Sequence, residues 1–341
     1  LPIVQSAWIQ VTTYLGYFLM AIPAGKFINR YGYRQGVVFG LFLFGIGALM
    51  FIPIHTYTAF LVALFVIGCG LTFLETAANP YVTELGDSST ASSRLNLAQT
   101  FNGMGCCMAT LTVGQFLFSG NSQQSDVAVP YGMMGVVVLL IALAFTRVNL
   151  PEMVRQNDSG SQRSGISQLL RHRWFVFGLV ALLCYEISEI SINSYFVNFV
   201  TLTGWMSKLT ASRMVTLALV IFMVGRFVGS WLMRRLSAET LLLWCAVGTL
   251  TCMVLTMMNL GQVSVAALIL NYLFESIMFP TIFSLAIEGL GSLKKCAASL
   301  LMMTPIGGCG FLMMGFLADH TNAFLPFVIP LAGFSIVLVY A

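Results

Sequence analysis

Leu74-Glu75-Thr76-Ala77-Ala78-Asn79-Pro80-Tyr81-Val82, reached through an uncharged run from Phe60 to Phe73, sets a carboxylate inside an apolar segment long enough to cross a membrane. A charge near the centre of a bilayer costs at least about 2.5–3.5 kcal/mol on insertion scales, so it persists only with a use or a partner. On a helix, Thr72, Glu75, Thr76 and Asn79 share one face, because they sit three or four apart. That face is polar and the rest of the helix is apolar. The pattern predicts a helix that lines a cavity inside a bundle.

The whole chain agrees with that reading. Of its 341 residues only 8% are charged, against about 25% in a soluble domain. This composition is that of a polytopic membrane protein. A spanning helix needs about 20 apolar residues, and eleven stretches qualify, near 6–28, 37–54, 59–81, 95–118, 131–149, 174–203, 214–236, 239–258, 264–287, 297–317 and 325–341. The connectors are short except for 149–173, which is rich in Ser, Gln, Asp and Arg and reads as a flexible linker. The eight cysteines lie in or beside apolar segments without CxxC or metal spacing, so they read as small hydrophobic residues. The form GxxxxGK[ST] is absent from the sequence, so ATP is not the expected energy source.

Basic residues set the orientation. Alternate connectors hold thirteen of the sixteen Lys and Arg, the linker among them, while the opposite connectors hold only Lys208 and Arg213. The linker is therefore expected in the cytoplasm, and the net charge of +4 is a topology signal with no nucleic-acid partner implied. Arg226 is the sixteenth and falls within a span.

The two ends of the chain repeat each other. Phe73-Leu74-Glu75-Thr76-Ala77-Ala78-Asn79-Pro80 aligns with Leu273-Phe274-Glu275-Ser276-Ile277-Met278-Phe279-Pro280, 200 positions later. Gly25-Lys26-Phe27-Ile28-Asn29-Arg30 is echoed by Gly229-Ser230-Trp231-Leu232-Met233-Arg234, and Glu84-Leu85-Gly86 by Glu288-Gly289-Leu290-Gly291. Ordered matches at nearly one offset predict a duplication with parallel copies. Five spans precede the linker and six follow it, so one span is expected before residue 1. The expected domains are a helical half over 1–148 lacking its first span, a cytoplasmic linker over 149–173, and a six-helix half over 174–341. That is an all-α membrane protein with eleven of twelve spans, on the major facilitator plan.

Gly25 through Gly36 resembles the loop signature of that superfamily, Gly-x-x-x-Asp-Arg-x-Gly-Arg-Arg, with Asn29 where the Asp belongs. The resemblance implies a gate in which Gly25 allows close helix packing, Gly32 a tight turn, and Arg30 and Arg34 meet acids or helix ends. Leu74 through Val82, together with Arg94-Leu95-Asn96-Leu97-Ala98-Gln99-Thr100-Phe101-Asn102-Gly103, resembles the L-fucose permease family of sugar:proton symporters. Tyr185-x-x-x-Glu189, Gly225-Arg226-Phe227, Phe279-Pro280-Thr281-Ile282-Phe283-Ser284 and Gly307-Gly308 extend the match over nearly the whole chain.

The resemblance implies that Glu75 serves proton coupling and that Gln99 and Asn102 line the sugar cavity. It also implies a second carboxylate in the first span, ahead of this chain, and an aromatic lining position filled here by Phe279 in place of Tyr. Elementary chemistry points the same way. A sugar needs neutral amide donors and acceptors and an aromatic platform, and Asn96, Gln99 and Asn102 recur at threes along one helix. Asn79, Glu189 and Asn193 complete the expected substrate-binding set. Glu186 and Glu189 are further acids at membrane depth, and Arg226 is expected to pair with one of them.

The expected function is import of a neutral hexose or deoxyhexose with protons, by alternating access, in a bacterial inner membrane. The proton is the coupling ion and no cofactor is expected. The expected partners are a sugar and the lipid bilayer, with the chain acting as a monomer. An exporter of drugs or metabolites on the same plan would favour apolar and aromatic linings over an amide stripe. A truncated, inactive member is a further alternative. An enzyme is not expected, because no histidine falls at depth with the acids.

Overall fold

The structure is a computed structural model that describes residues 3–54, 56–118, 128–148 and 162–341. Among the described residues all regular elements are helical: α1 (Ile3–Tyr31), α2 (Tyr33–Leu49), α3 (Tyr57–Glu84), α4 (Ala91–Phe118), α5 (Ala128–Phe145), α6 (Gln162–Leu169), α7 (Arg173–Leu202), α8 (Lys208–Leu232), α9 (Ala238–Met257), α10 (Gln262–Glu275), α11 (Met278–Ile287), α12 (Lys294–Leu301), α13 (Phe311–His320) and α14 (Val328–Tyr340), with short 3-10 turns between some of them. The helical outcome follows from the medium, since hydrocarbon offers nothing to an unpaired backbone amide.

Eight stretches among the described residues are long and apolar enough to cross a membrane, and Tyr33–Leu49 and Leu325–Tyr340 are shorter apolar helices. α4 is long enough at 28 residues, but its amides make it more polar. Each of the eleven expected spans overlaps one of these segments, and three of them fall short of a full apolar span in length or polarity. Large apolar side chains such as Trp174, Phe101, Phe316 and Trp244 lie more than half exposed, as lipid-facing residues do.

Local chemistry marks the ends and breaks. Thr56, Ser207 and Ser237 cap α3, α8 and α9 by accepting from the backbone N–H three residues on. The segment expected as a loop at 25–36 is almost wholly helical. Only Gly32, at φ +92°, separates α1 from α2, a conformation that favours glycine. α6 occupies part of the expected linker and buries Leu169 completely, while 149–161 lie outside the described residues.

The chain divides into two compact units. One contains Leu1–Leu85, Ala109–Arg173 and Ile287–Ile306; the other contains Gly86–Met108, Trp174–Ala286 and Gly307–Ala341. In the first unit α1, α2 and α3 pack together through small residues, as membrane helices do where lipid is as apolar as their side chains. A Cβ on Gly70 of α3 would lie 2.5 Å from the Phe44 amide nitrogen of α2, and one on Gly68 would lie 2.5 Å from the Thr13 carbonyl oxygen of α1. α12 also belongs to this unit and packs on α1, α3 and α6. In the second unit α10 packs against both α8 and α9, and Tyr185, Phe196 and Tyr272 are fully buried.

Candidate functional site

Glu75 is half-buried on α3, in the first unit, and accepts a 3.0 Å hydrogen bond from the hydroxyl of Tyr17 on α1. The glycines bring them together: Gly16 beside Tyr17 and Gly68 seven residues before Glu75 let the α1 and α3 backbones approach closely. A tyrosine hydroxyl supports the carboxylate by donating and the protonated acid by accepting, so the pair tolerates both states. Thr72 and Asn79 on the same face are buried. The Thr72 hydroxyl bonds back to the Gly68 carbonyl at 2.8 Å, and Asn79 Nδ2 lies 3.9 Å from the Met302 sulfur.

The amides of α4 fall in the second unit. Gln99 Oε1 accepts from Asn102 Nδ2 at 3.1 Å and from the Arg226 guanidinium at 3.3 Å. Arg226 also donates to the Gln99 carbonyl at 3.1 Å and, through Nε, to the Ser276 carbonyl at 3.0 Å. Its guanidinium sits 4.5 Å from the centre of the Phe222 ring. Asn102 is exposed, whereas Asn96 is fully buried and donates to the Ser92 carbonyl, the Thr281 hydroxyl and the Met233 sulfur. Gln99 and Asn102 thus form one polar contact set, while Asn96, three residues earlier, is engaged by α8 and α11.

The backbone explains why Arg226 sits where it does. α10 ends at Glu275, and two residues, Ser276 and Ile277, separate it from α11. A break at membrane depth leaves carbonyls without helical donors. Pro280 has no N–H to give the carbonyl four residues back, which is that of Ser276, and Arg226 takes it. The Tyr185 hydroxyl takes the neighbouring Glu275 carbonyl at 3.1 Å. Arg226, expected to pair with Glu186 or Glu189, gives its hydrogen bonds instead to Gln99 and the Ser276 carbonyl, and its charge also acts on Glu189.

Glu189 and Asn193 are half-buried on α7, one turn apart. Phe279, at the start of α11, is 7% exposed and stacks on Phe283 at 6.2 Å between ring centres. Of the loop residues, Gly25 is packed so tightly that a Cβ would overlap the Ser299 side chain of α12. Arg34 donates to the carbonyls of Phe145 and Thr146 at the end of α5, a favourable place for a cation. Arg30 lies 5.3 Å over the Tyr31 ring. The first unit therefore holds Glu75, Asn79, Gly25, Arg30 and Arg34. The second holds Asn96, Gln99, Asn102, Glu189, Asn193 and Phe279.

Three features escaped sequence reasoning. Tyr17 is one aromatic among many in its span and carries no local signal. Tyr33 donates to Glu84 at 3.4 Å, with Lys295 5.2 Å over its ring, an arrangement built from three separate elements. Asn271, which donates to Glu275 at 2.6 Å, lies four residues before it, and the helical spacing rule could have found it.

Comparison with known proteins places the chain. Residues 2–304 match the family model of the Major Facilitator Superfamily. The chain is 35% identical to the L-fucose-proton symporter of Escherichia coli K12, over 99% of its own length and 84% of that protein. It is 33% identical to a glucose/galactose transporter of Brucella abortus, over 98% and 84%. A crystal structure of the major facilitator transporter FucP in the outward conformation superposes with a TM-score of 0.90 at 33% identity, covering 100% of this chain and 90% of that one. A proton:xylose symporter, 13% identical with a TM-score of 0.80, shares the fold. The chain is a multi-pass membrane protein and belongs to the L-fucose permease family of the major facilitator superfamily.

Proposed function

We propose that this chain is a secondary active transporter, and not an enzyme, that imports a neutral hexose or deoxyhexose together with protons by alternating access. The carrying observation is that Glu75 stands half-buried within the apolar span Tyr57–Glu84 and accepts a hydrogen bond from the neutral hydroxyl of Tyr17. A hydroxyl can donate to the carboxylate and accept from the acid, so a carboxyl so placed keeps this partner as it gains and loses a proton. Gln99, Asn102 and Asn193 offer the neutral donors and acceptors that sugar hydroxyls require, while Asn79 and Asn96 stand buried on the helix faces that carry Glu75 and Gln99. Phe279 offers a ring face, and Glu189 a carboxylate able to take two hydroxyls.

Gly25, Arg30 and Arg34 act as the gate on the Lys- and Arg-rich side of a bacterial inner membrane. The halves of the duplication, 1–148 and 174–341, move as the alternating elements about the linker 149–173. The protein acts as a monomer with the proton as coupling ion. The names of its relatives supply the substrate class: L-fucose for one, glucose and galactose for the other.

The test is proteoliposome transport. Adding L-fucose, galactose or glucose to loaded vesicles should alkalinise the outside medium, and a radiolabelled sugar panel then identifies the substrate. External pH unmoved by every sugar excludes symport.

A further inference from the structure

Glu275 ends α10 with no solvent exposure, and its two oxygens are treated unequally. Oε2 accepts the 2.6 Å bond from Asn271 Nδ2, while Oε1 has no hydrogen-bond partner among the described residues. The carboxamide oxygen of Asn271 and the hydroxyl of Tyr272 are also buried and unpartnered. An ionised carboxylate and an amide oxygen can only accept, so with Glu275 charged neither orphan can serve the other. One proton on Oε1 changes that: the acid becomes a donor, and Asn271, already bonded to it through Nδ2, presents an unused acceptor.

The surrounding charges bear on the same point. Glu275 is faced by Tyr185 and Glu189 of α7, with Glu186 acting on that same Tyr185, by Arg226 of α8, by Cys252 of α9, and by Tyr272 of its own helix. Two carboxyls, Glu189 and Glu275, thus share one cation, and its hydrogen bonds are given to Gln99 and to the Ser276 carbonyl. A buried carboxylate with an unsatisfied oxygen and no cation bonded to it is strongly disfavoured against the neutral acid.

We infer that Glu275 holds a proton in this state and is a second proton-carrying carboxyl of the transport cycle, in addition to Glu75. The inference rests on the proposed symport. It also gives Arg226 a role, because Gln99 is a proposed sugar ligand. A sugar hydroxyl that takes over Gln99 Oε1 leaves the guanidinium to turn toward the two acids, and a cation at that distance favours the carboxylate. The step is a simple dissociation. The acid O–H bond breaks, its electron pair stays on Oε1, and the proton passes to water. Uptake from water on the opposite side restores the acid.

Infrared spectroscopy of the purified full chain tests this directly. At neutral pH the wild type should show the carbonyl stretch of a neutral carboxylic acid, lost in Glu275→Gln. Asn271→Leu should keep the band and shift it, because both hydrogen bonds between the acid and Asn271, the one it accepts and the one it donates, are removed; this second variant reports even where the first fails to fold. Sugar should reduce the band in the wild type, and the protons moved per sugar should fall in Glu275→Gln. An unchanged spectrum in both variants, or an unchanged proton-to-sugar ratio in Glu275→Gln, overturns the inference. So does a site answering to sodium, seen as a sodium-dependent melting shift that Glu275→Gln abolishes. The two readings fail separately: sugar-driven proton movement without the acid band sinks Glu275 alone, whereas the band without any sugar-driven proton movement sinks symport and, with it, the role in the cycle.

Discussion

The segment Glu75–Pro80 runs unbroken inside α3, whereas its repeat image, Glu275–Pro280, is divided between α10 and α11 by Ser276 and Ile277. Each has a Glu followed by a small hydroxyl residue and, five positions after the Glu, a Pro. Their surroundings differ. Glu75 is half-buried against Tyr17, while Glu275 is fully buried against Asn271 with Arg226 serving the adjacent carbonyl. The neighbouring helix accounts for the contrast. α1 offers a neutral hydroxyl, and α8, its copy in the duplication, offers a guanidinium. A proline in a membrane helix is tolerated where a neighbour supplies the lost donor, and the second copy uses an arginine to do so. One pattern has thus become an accessible acid in one half and a sequestered acid in the other.

The largest effect is expected at the accessible acid. Glu75→Gln should abolish proton-driven sugar accumulation while leaving exchange of labelled sugar across the membrane, because a carboxamide keeps the hydrogen bond from Tyr17 and cannot carry the proton. Counterflow and uptake on the same vesicles check both halves of that statement. Accumulation surviving the substitution would remove Glu75 from coupling.

Arg226 should come next. Arg226→Leu takes the donor from the buried carbonyls of Ser276 and Gln99, and an orphaned buried acceptor costs about 1–3 kcal/mol. Melting of the purified protein in detergent should drop accordingly. Arg226→Lys, which keeps the charge but loses the planar fork, should recover part of the loss. Equal melting of Leu and Lys variants would mean that the hydrogen bonds contribute nothing beyond packing.

Much of this was legible in the chain. Helical class, the approximate spans and the family all follow from apolar runs, the distribution of Lys and Arg, and two polar stretches. The repeat identified Glu275 as the image of Glu75. What the chain alone could not convey was environment. Asn96, Gln99 and Asn102 share a helical stripe, yet Asn96 is sealed among α8 and α11 while Asn102 is exposed; spacing fixes a face but not what meets it. Arg226 was expected to pair with an acid, because charge balance is readable from composition. The break at Ser276 is a backbone event, and the carbonyl it frees became visible as a partner only in three dimensions. Tyr17 and Tyr33 illustrate the same limit, since an aromatic hydroxyl is assigned a role by the carboxylate it reaches.

The smallest effect separates the two prolines. Pro80→Ala returns an N–H to α3 at the level of the Thr76 carbonyl, and α1 has Ile22 at the position matching Arg226 by the repeat offset, so the arginine that serves the Ser276 carbonyl has no counterpart there. The substitution should stabilise the protein by about 0.5–1.5 kcal/mol, the net value of one hydrogen bond. Pro280→Ala returns an N–H toward a carbonyl that Arg226 already serves, so the new bond displaces an existing one and the net gain should be near zero. In an Arg226→Leu background that relation should change: Pro280→Ala should then stabilise as Pro80→Ala does, because the Ser276 carbonyl has lost its other donor. The double-variant cycle isolates the exchange of donors from the loss of proline rigidity, which is common to both backgrounds. A Pro280→Ala effect that is the same with and without Arg226 would show that the arginine and the proline act independently, and the contrast between the two copies would have to be sought in their acids alone.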